Sequence, residues 1–315
     1  MGGMAVLEWP LCTTPGYVRR IVPIATSARH SAWCISWGET QRQCIYSDPM
    51  YEDGYYVTQP SSGLAAARMA ALLTYRSRDS FEKRFGRRPQ ISQVTDSAAS
   101  APIVSAASLA LVAHNEGHQR AVHSQSLNAS PAASVLSLSS QLSQQDTTKA
   151  STPPPIFSAQ SYLRYQGSKF VSRFDANCYI HITRKLDTHD VARGRTSLPS
   201  DSGAAQSTAL AATLATLPPR TLVISIETDG LFTPNEQKEL ATHIPEAELV
   251  VIPSPDGHDG FLLEFEQINS HILRFLKTEF PEYYLKEIPE ENRVDDFKVT
   301  KSSLFGEAEV DITRW

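Results

Sequence analysis

Two residues suited to proton-transfer chemistry stand at regular places near the end of this chain, the aspartate Asp229 and the histidine His258. A carboxylate beside an imidazole holds one ring tautomer and offsets the charge the ring gains on taking a proton. Such a pair activates a hydroxyl nucleophile. Whether the two meet depends on the elements that carry them. Residues 221–226, Thr-Leu-Val-Ile-Ser-Ile, are β-branched and apolar and read as a buried strand. The run stops at the polar turn Glu227-Thr228-Asp229-Gly230. A helical pattern follows Pro234 (Glu236 to His243), then a second apolar run, Glu248 to Ile252. That run stops at Pro253-Ser254-Pro255-Asp256-Gly257-His258-Asp259-Gly260-Phe261. Two parallel strands joined by a helix end on the same sheet edge, so Asp229 and His258 can meet there. Plainer roles stay open: Asp229, Asp256 and Asp259 are all suited to closing turns, and a loop histidine is commonly just solvated.

Acid before histidine is the closing order of the Ser…Asp…His triad of α/β-hydrolases. The start of the chain bears on the missing member. Met1-Gly2-Gly3-Met4-Ala5-Val6-Leu7 resembles the second half of a nucleophile elbow, Gly-x-Ser-x-Gly, running into its helix. Met1 then takes the place directly after the serine, and the serine itself is expected ahead of the first residue. No serine within the 315 residues stands in a Gly-x-Ser-x-Gly frame.

The elements between these ends follow from pattern. Gly2 to about Leu11 is helical, Tyr17 to Ala25 reads as a strand, and Ala28 to Ile45 as an aromatic-rich helix. Gly63 to Tyr75 is a second helical stretch. Leu64 and Leu72 lie four residues either side of Arg68 and put it on an apolar stripe. A guanidinium there must find an anion or reach solvent. Residues 90–155 are loaded with Ser, Ala, Gln and Thr, carry His114, His118 and His123 without a metal-ligand pattern, and read as a disordered insertion with a transient helix near Ser134 to Leu142. Ser161 to Phe174 and Asn177 to Leu186 are helical. Arg173, Asp175 and Asn177 suit a structural network at the junction between them. Phe261 to Phe275 is a periodic helix, and an acidic tail follows Phe280.

Composition narrows the class. A formal charge of −5 gives no support for a nucleic-acid partner. No apolar run reaches the roughly 18 residues of a membrane span, and no secretory signal pattern opens the chain. The four cysteines, Cys12, Cys34, Cys44 and Cys178, form no Cys-x-x-Cys pair, which points to thiols in a reducing compartment and no zinc site.

Several long motifs in order carry a family resemblance. They are the opening Met1-Gly2-Gly3-Met4, the segment Tyr162-Leu163-Arg164-Tyr165-Gln166-Gly167 with Arg173-Phe174-Asp175-Ala176-Asn177, and Gly257-His258-Asp259-Gly260-Phe261. Together they resemble the homoserine O-acetyltransferases of fungal type, over Met1 to about Pro89 and from Ile156 onward. The family pattern at the start is Gly-Gly-Ser-Met-Gly-Gly-Met, so this chain is expected to begin just after the nucleophile and, alone, to be inactive. The resemblance implies the C-terminal half of an α/β-hydrolase fold with an inserted helical lid. It divides the chain into a core segment (1–27), lid (28–89), the insertion (90–155), lid (156–195), a second core segment (196–279) and a tail (280–315). It implies acetyl transfer from acetyl-CoA to L-homoserine in methionine biosynthesis, with no resident cofactor or metal. His258 would be the base and Asp229 its orienter. Arg68 would grip the substrate carboxylate, Asp259 its amine, and the Met1 N–H would belong to the oxyanion hole. A cytoplasmic setting and a homodimer through the lid follow from the same resemblance. Relatives that acylate serine or deacetylcephalosporin C share much of the pattern, and a non-catalytic remnant is a further alternative.

Overall fold

The computed structural model describes residues 1–89, 110–111, 114–118, 156–195 and 203–284. The chain divides into two compact units. One combines Met1–Gly86 with the described residues from Leu163 to Tyr284, and the other holds the described residues between Arg87 and Tyr162. In the second, Pro89 and Phe157 form an antiparallel bridge, and the Ser158 N–H donates to the Arg88 carbonyl at 2.9 Å. Most of the insertion, including residues 134–142, lies outside the described residues, as does the tail from residue 285.

The centre of the first unit is a pair of parallel strands, β1 (Leu222–Ile226) and β2 (Glu248–Ile252). Leu222 stands opposite Glu248 and Ile226 opposite Ile252. The strand expected over Tyr17 to Ala25 forms no regular ladder. The segment around it still runs beside β1, which donates from Leu222 to the Ile21 carbonyl and from Ile224 to the Pro23 carbonyl. Ala25 N–H returns a bond to Ile224 at 2.9 Å. Pro23 has no N–H to give, which interrupts strand pairing at that point.

Side chains of β1 alternate between two cores, as strand pleating requires. Leu222, Ile224 and Ile226 pack with Ile252 and with Ile268 and Phe275 of a C-terminal helix. Val223 points the other way, into a cluster with Leu7, Leu210, Leu214 and Leu240. Full burial of a side chain such as Ile224 contributes about 1.5–3 kcal/mol. The helices ahead of β2 are, in chain order, α1 (Gly2–Leu11), α2 (Ala32–Tyr46), α3 (Ser61–Leu72), α4 (Arg78–Phe85), α5 (Ser158–Val171), α6 (Ala176–Asp187), α7 (Gly203–Leu214) and α8 (Pro234–His243), of which α1, α7 and α8 supply Leu7, Leu210, Leu214 and Leu240.

Helix α8 is the crossover between the strands. Pro234 opens it, and the Glu236 carboxylate accepts the Thr233 N–H at 2.6 Å, a carboxylate placed at the positive end of the helix. After β2 the chain makes a single 3-10 turn (Gly257–Asp259), then α9 (Gly260–Leu263) and α10 (Phe265–Glu279). The sequence pattern predicts one continuous helix from Phe261. The structure breaks it at Glu264, where ψ is +36°.

The buried residues of a third apolar cluster all come from helices. Ile45 of α2, Leu64 and Ala67 of α3, and Ala176, Tyr179 and Ile180 of α6 pack together. Asp175 caps α6 by accepting the Cys178 N–H at 2.9 Å and also takes the Tyr56 hydroxyl at 2.6 Å. Asn177 Nδ2 donates to the Gly54 carbonyl at 2.9 Å. Helix α2 starts at Ala32, later than the periodicity suggests, because Ser31 caps it. Among the described residues no helix is long and apolar enough to cross a membrane.

Candidate active site

Asp229 and His258 stand at the ends of β1 and β2 and touch: Asp229 Oδ2 lies 2.7 Å from Nδ1 of His258. The other oxygen, Oδ1, accepts the N–H groups of Leu231 at 2.8 Å and Phe232 at 2.9 Å. One carboxylate thus closes its own turn and holds the imidazole. Its side chain is fully shielded from solvent, and the histidine's is 17% exposed. With the carboxylate ionised, Nδ1 is the donor. That leaves the lone pair of a neutral ring on Nε2, the atom placed to take a proton.

The ring is held from both sides as well. Its centroid is 5.3 Å from that of Phe232 and 5.0 Å from that of Phe261. Beneath it, Thr228 ties the two strand ends together. Its hydroxyl donates to the Ser254 carbonyl at 2.7 Å and accepts the Gly257 N–H at 2.9 Å. Below β1, the buried Gln237 side chain accepts from Ser225 and donates to the Thr26 and Phe232 carbonyls, which fixes three segments around the site.

The loop that carries His258 leans on residues 75–80. Asp259 N–H donates to the Tyr75 carbonyl at 2.9 Å. Ser77 Oγ donates to the Pro255 carbonyl, and Ser80 Oγ to Asp256. Arg76 reaches Asp256 at 3.1 Å and Asp259 at 3.5 Å. Gly257 has φ +69°, and a Cβ there would lie 2.4 Å from the Ser77 nitrogen, so only glycine lets the two backbones approach this closely. Asp256 therefore does more than close a turn.

Arg68 lies elsewhere on the same scaffold. Its Nη1 donates to the Tyr75 hydroxyl at 2.9 Å, and its guanidinium sits over the Tyr75 and Phe170 rings at 5.2 and 5.0 Å. Its Nε is buried without a hydrogen-bond partner. The apolar stripe is thus resolved by aromatic faces and a phenol. Tyr75 connects Arg68, through its hydroxyl, to Asp259, through its carbonyl. Met1 heads α1, and burial lowers the pKa of its amine. The link from this end to His258 runs through Met4 and Phe232, which pack together with Cys34. Burial pushes the Cys34 thiol up to about 11, so it stays protonated and serves as packing.

The sequence points to Asp229, His258, Arg68, Asp259 and Met1, but not to Thr228, Phe232, Gln237 or Arg76. Thr228 stands one residue before Asp229 and Phe232 three after it, close enough for the turn to have pointed to them. Arg76 carries no local signal, because its two acidic partners, Asp256 and Asp259, lie in a distant stretch of the sequence.

Comparison with known proteins places this geometry. The alpha/beta hydrolase fold family matches residues 1–265. The homoserine O-acetyltransferase of Cryptococcus neoformans var. grubii is 50% identical, aligning with 100% of this chain and 71% of its own length. That of Emericella nidulans is 49% identical, with 67% of its length covered. That of Saccharomyces cerevisiae is 46% identical, also at 67%. The crystal structure of homoserine O-acetyltransferase from Bacillus anthracis superposes with a TM-score of 0.59 at 17% identity, covering 87% of this chain and 57% of that one. Esterase E22 gives 0.56 at 18% identity, covering 87% and 58%. The two structures share the fold; this chain spans little more than half the length of either. Identity near one half along the whole of this chain carries the family assignment: the chain belongs to the fungal homoserine O-acetyltransferases, within the alpha/beta-hydrolase superfamily.

Proposed function

We propose that this chain carries the acid–base half of an acyltransferase that moves acetyl from acetyl-CoA to the hydroxyl of L-homoserine. The observation that carries the reading is the 2.7 Å contact between Asp229 and His258 at the tips of paired parallel strands. The nucleophile in this scheme is a serine ahead of Met1, in the Gly-x-Ser-x-Gly frame of the family pattern.

Chemistry follows in two halves. The serine hydroxyl attacks the thioester carbonyl while His258 Nε2 takes its proton. The tetrahedral intermediate collapses, the C–S bond breaks, and the imidazolium returns the proton to the departing CoA thiolate. Homoserine then enters. His258 takes its hydroxyl proton, the new C–O bond forms, and the serine leaves with the proton restored. One nucleophile serving two substrates in turn gives ping-pong kinetics. The backbone N–H of Met1, an amide when preceded by the serine, helps hold the oxyanion.

The acceptor is a zwitterion, and Arg68 and Asp259 offer one charge for each end. Support for Arg68 is its buried, unpartnered Nε, a donor ready for a carboxylate. No resident cofactor enters this scheme, and its setting is the cytoplasm. Serine as acceptor is the second reading. It differs by one methylene, which a pocket discriminates by only about 1–3 kcal/mol.

The full-length natural protein, assayed with homoserine and serine side by side, tests both. CoA release is expected with a kcat/KM at least about tenfold higher for homoserine, and His258→Ala is expected to abolish it. Preference for serine, or thioester hydrolysis that ignores either alcohol, contradicts the proposal.

A further inference from the structure

We infer that Arg76 is a positioning residue for the acceptor half of the reaction, setting the spacing between the two charges that grip the amino acid. The inference rests on the acyl-transfer reading above and deepens it. Arg76 sits near the end of the connection between α3 and α4, just before the Ser77 cap of α4, with its side chain only 15% exposed. Its Nη1 lies 3.1 Å from Asp256 Oδ1, and its Nε 3.5 Å from Asp259 Oδ2. The fork therefore spans the carboxylates on both sides of His258. A planar guanidinium fixes direction as well as charge, which a point cation does not.

The neighbouring residue makes the spacing specific. Tyr75 holds Arg68 through its hydroxyl and Asp259 through its carbonyl, at 2.9 Å in each case. Tyr75 and Arg76 thus form a two-residue clip with one substrate-gripping charge at each end. Asp259 is paired with Arg76 at 3.5 Å, so its carboxylate is oriented before any amine arrives. Ser80 Oγ donates to Asp256 and accepts from Arg76 Nη1 at 3.3 Å, so the Arg76–Asp256 end of the clip is bonded on both sides.

His258 keeps two holds that do not pass through Arg76. Asp229 holds its ring, and Thr228 holds the Gly257 N–H. Loss of Arg76 should therefore damage acceptor capture and spare acyl-enzyme formation, a split that a general structural role would not produce.

The test uses the full-length natural protein and separates the halves: the burst of CoA release without acceptor, and turnover against homoserine concentration. Arg76→Met is expected to leave the burst rate within about twofold and to raise the homoserine KM about tenfold or more. Arg76→Lys, which keeps charge without the fork, is expected to recover part of that loss. In an Asp259→Asn background, Arg76→Met should add less than about threefold, because the two act as one unit. An equal slowing of burst and acceptor turnover, or effects that multiply in the double variant, overturns the inference. Should Arg76→Met fail to fold, the same split must appear in Arg76→Lys, and its absence there overturns it. If the unmutated protein gives no burst, the acyl-transfer reading fails and this inference with it. A normal burst with no split sinks this inference alone.

Discussion

The turns after β1 and β2 carry the two halves of one hydrogen-bonded pair, yet they are held in opposite ways. The first is self-contained. Asp229 accepts two N–H groups from its own next three residues and is fully shielded. The second borrows its shape. His258 lies in a loop fastened to Thr228 on one side and to Tyr75, Arg76, Ser77 and Ser80 on the other. Its acids are correspondingly wetter, Asp259 being 26% exposed and paired at 3.5 Å. A group that must keep one orientation is fixed by local bonds that form as the turn forms. In the proposed reaction, the groups that would meet substrate sit on contacts that depend on a distant segment.

The strongest way to break this comparison is at the self-contained side. Asp229→Asn keeps the shape and the acceptor for the turn but presents an amide to the imidazole, so the ring loses its enforced tautomer. In the full-length protein kcat is expected to fall about 10⁴-fold with little change in melting temperature. A loss under tenfold in acetyl-transfer assays would remove Asp229 from the chemistry.

At the borrowed side the larger effect should be on stability. Gly257→Ala places a Cβ 2.4 Å from the Ser77 nitrogen, at a φ of +69° that alanine rarely adopts. Strain and displacement together are expected to cost about 2–3 kcal/mol. Urea titration measures this, and an unchanged midpoint would show that the loop does not lean on residues 75–80.

A smaller effect sharpens the contrast between two histidines that both face Phe232. His258 has a carboxylate on Nδ1, whereas the Nδ1 of His30 is buried without a partner. Burial lowers the His30 pKa to about 4 from the ordinary 6.5. The unfolded chain therefore binds a proton that the folded one refuses. Stability is full above pH 6.5 and declines as pH falls toward 4. His189 is shifted in the same direction, also by burial. The melting temperature should drop between pH 7 and 5, and His30→Gln should flatten that drop. An identical slope in the variant would contradict it.

Much of this is legible in the sequence. Asp229 and His258 were visible because strand, acid, helix, strand and histidine follow in order within forty residues. Parallel pairing converts that order into proximity. The helices expected over Gly2–Leu11 and near Glu236–His243 were visible because apolar spacing and proline punctuation are local signals. The strand expected at Tyr17 to Ala25 does not form a regular ladder. Its β-branched residues suit a ladder, but Pro23 removes a donor that composition does not weigh.

By itself the sequence determined the two strands, the crossover between them and which residues end up at their tips, since each follows from periodicity, turn chemistry and chain order over short distances. Tertiary structure alone decided the rest. It gave Asp259 its partner in Arg76, let Tyr75 join Arg68 to the histidine loop, and required glycine at 257. Those outcomes come from backbones about 180 residues apart arriving at the same place, and no local pattern encodes a contact whose partner is that far along the chain.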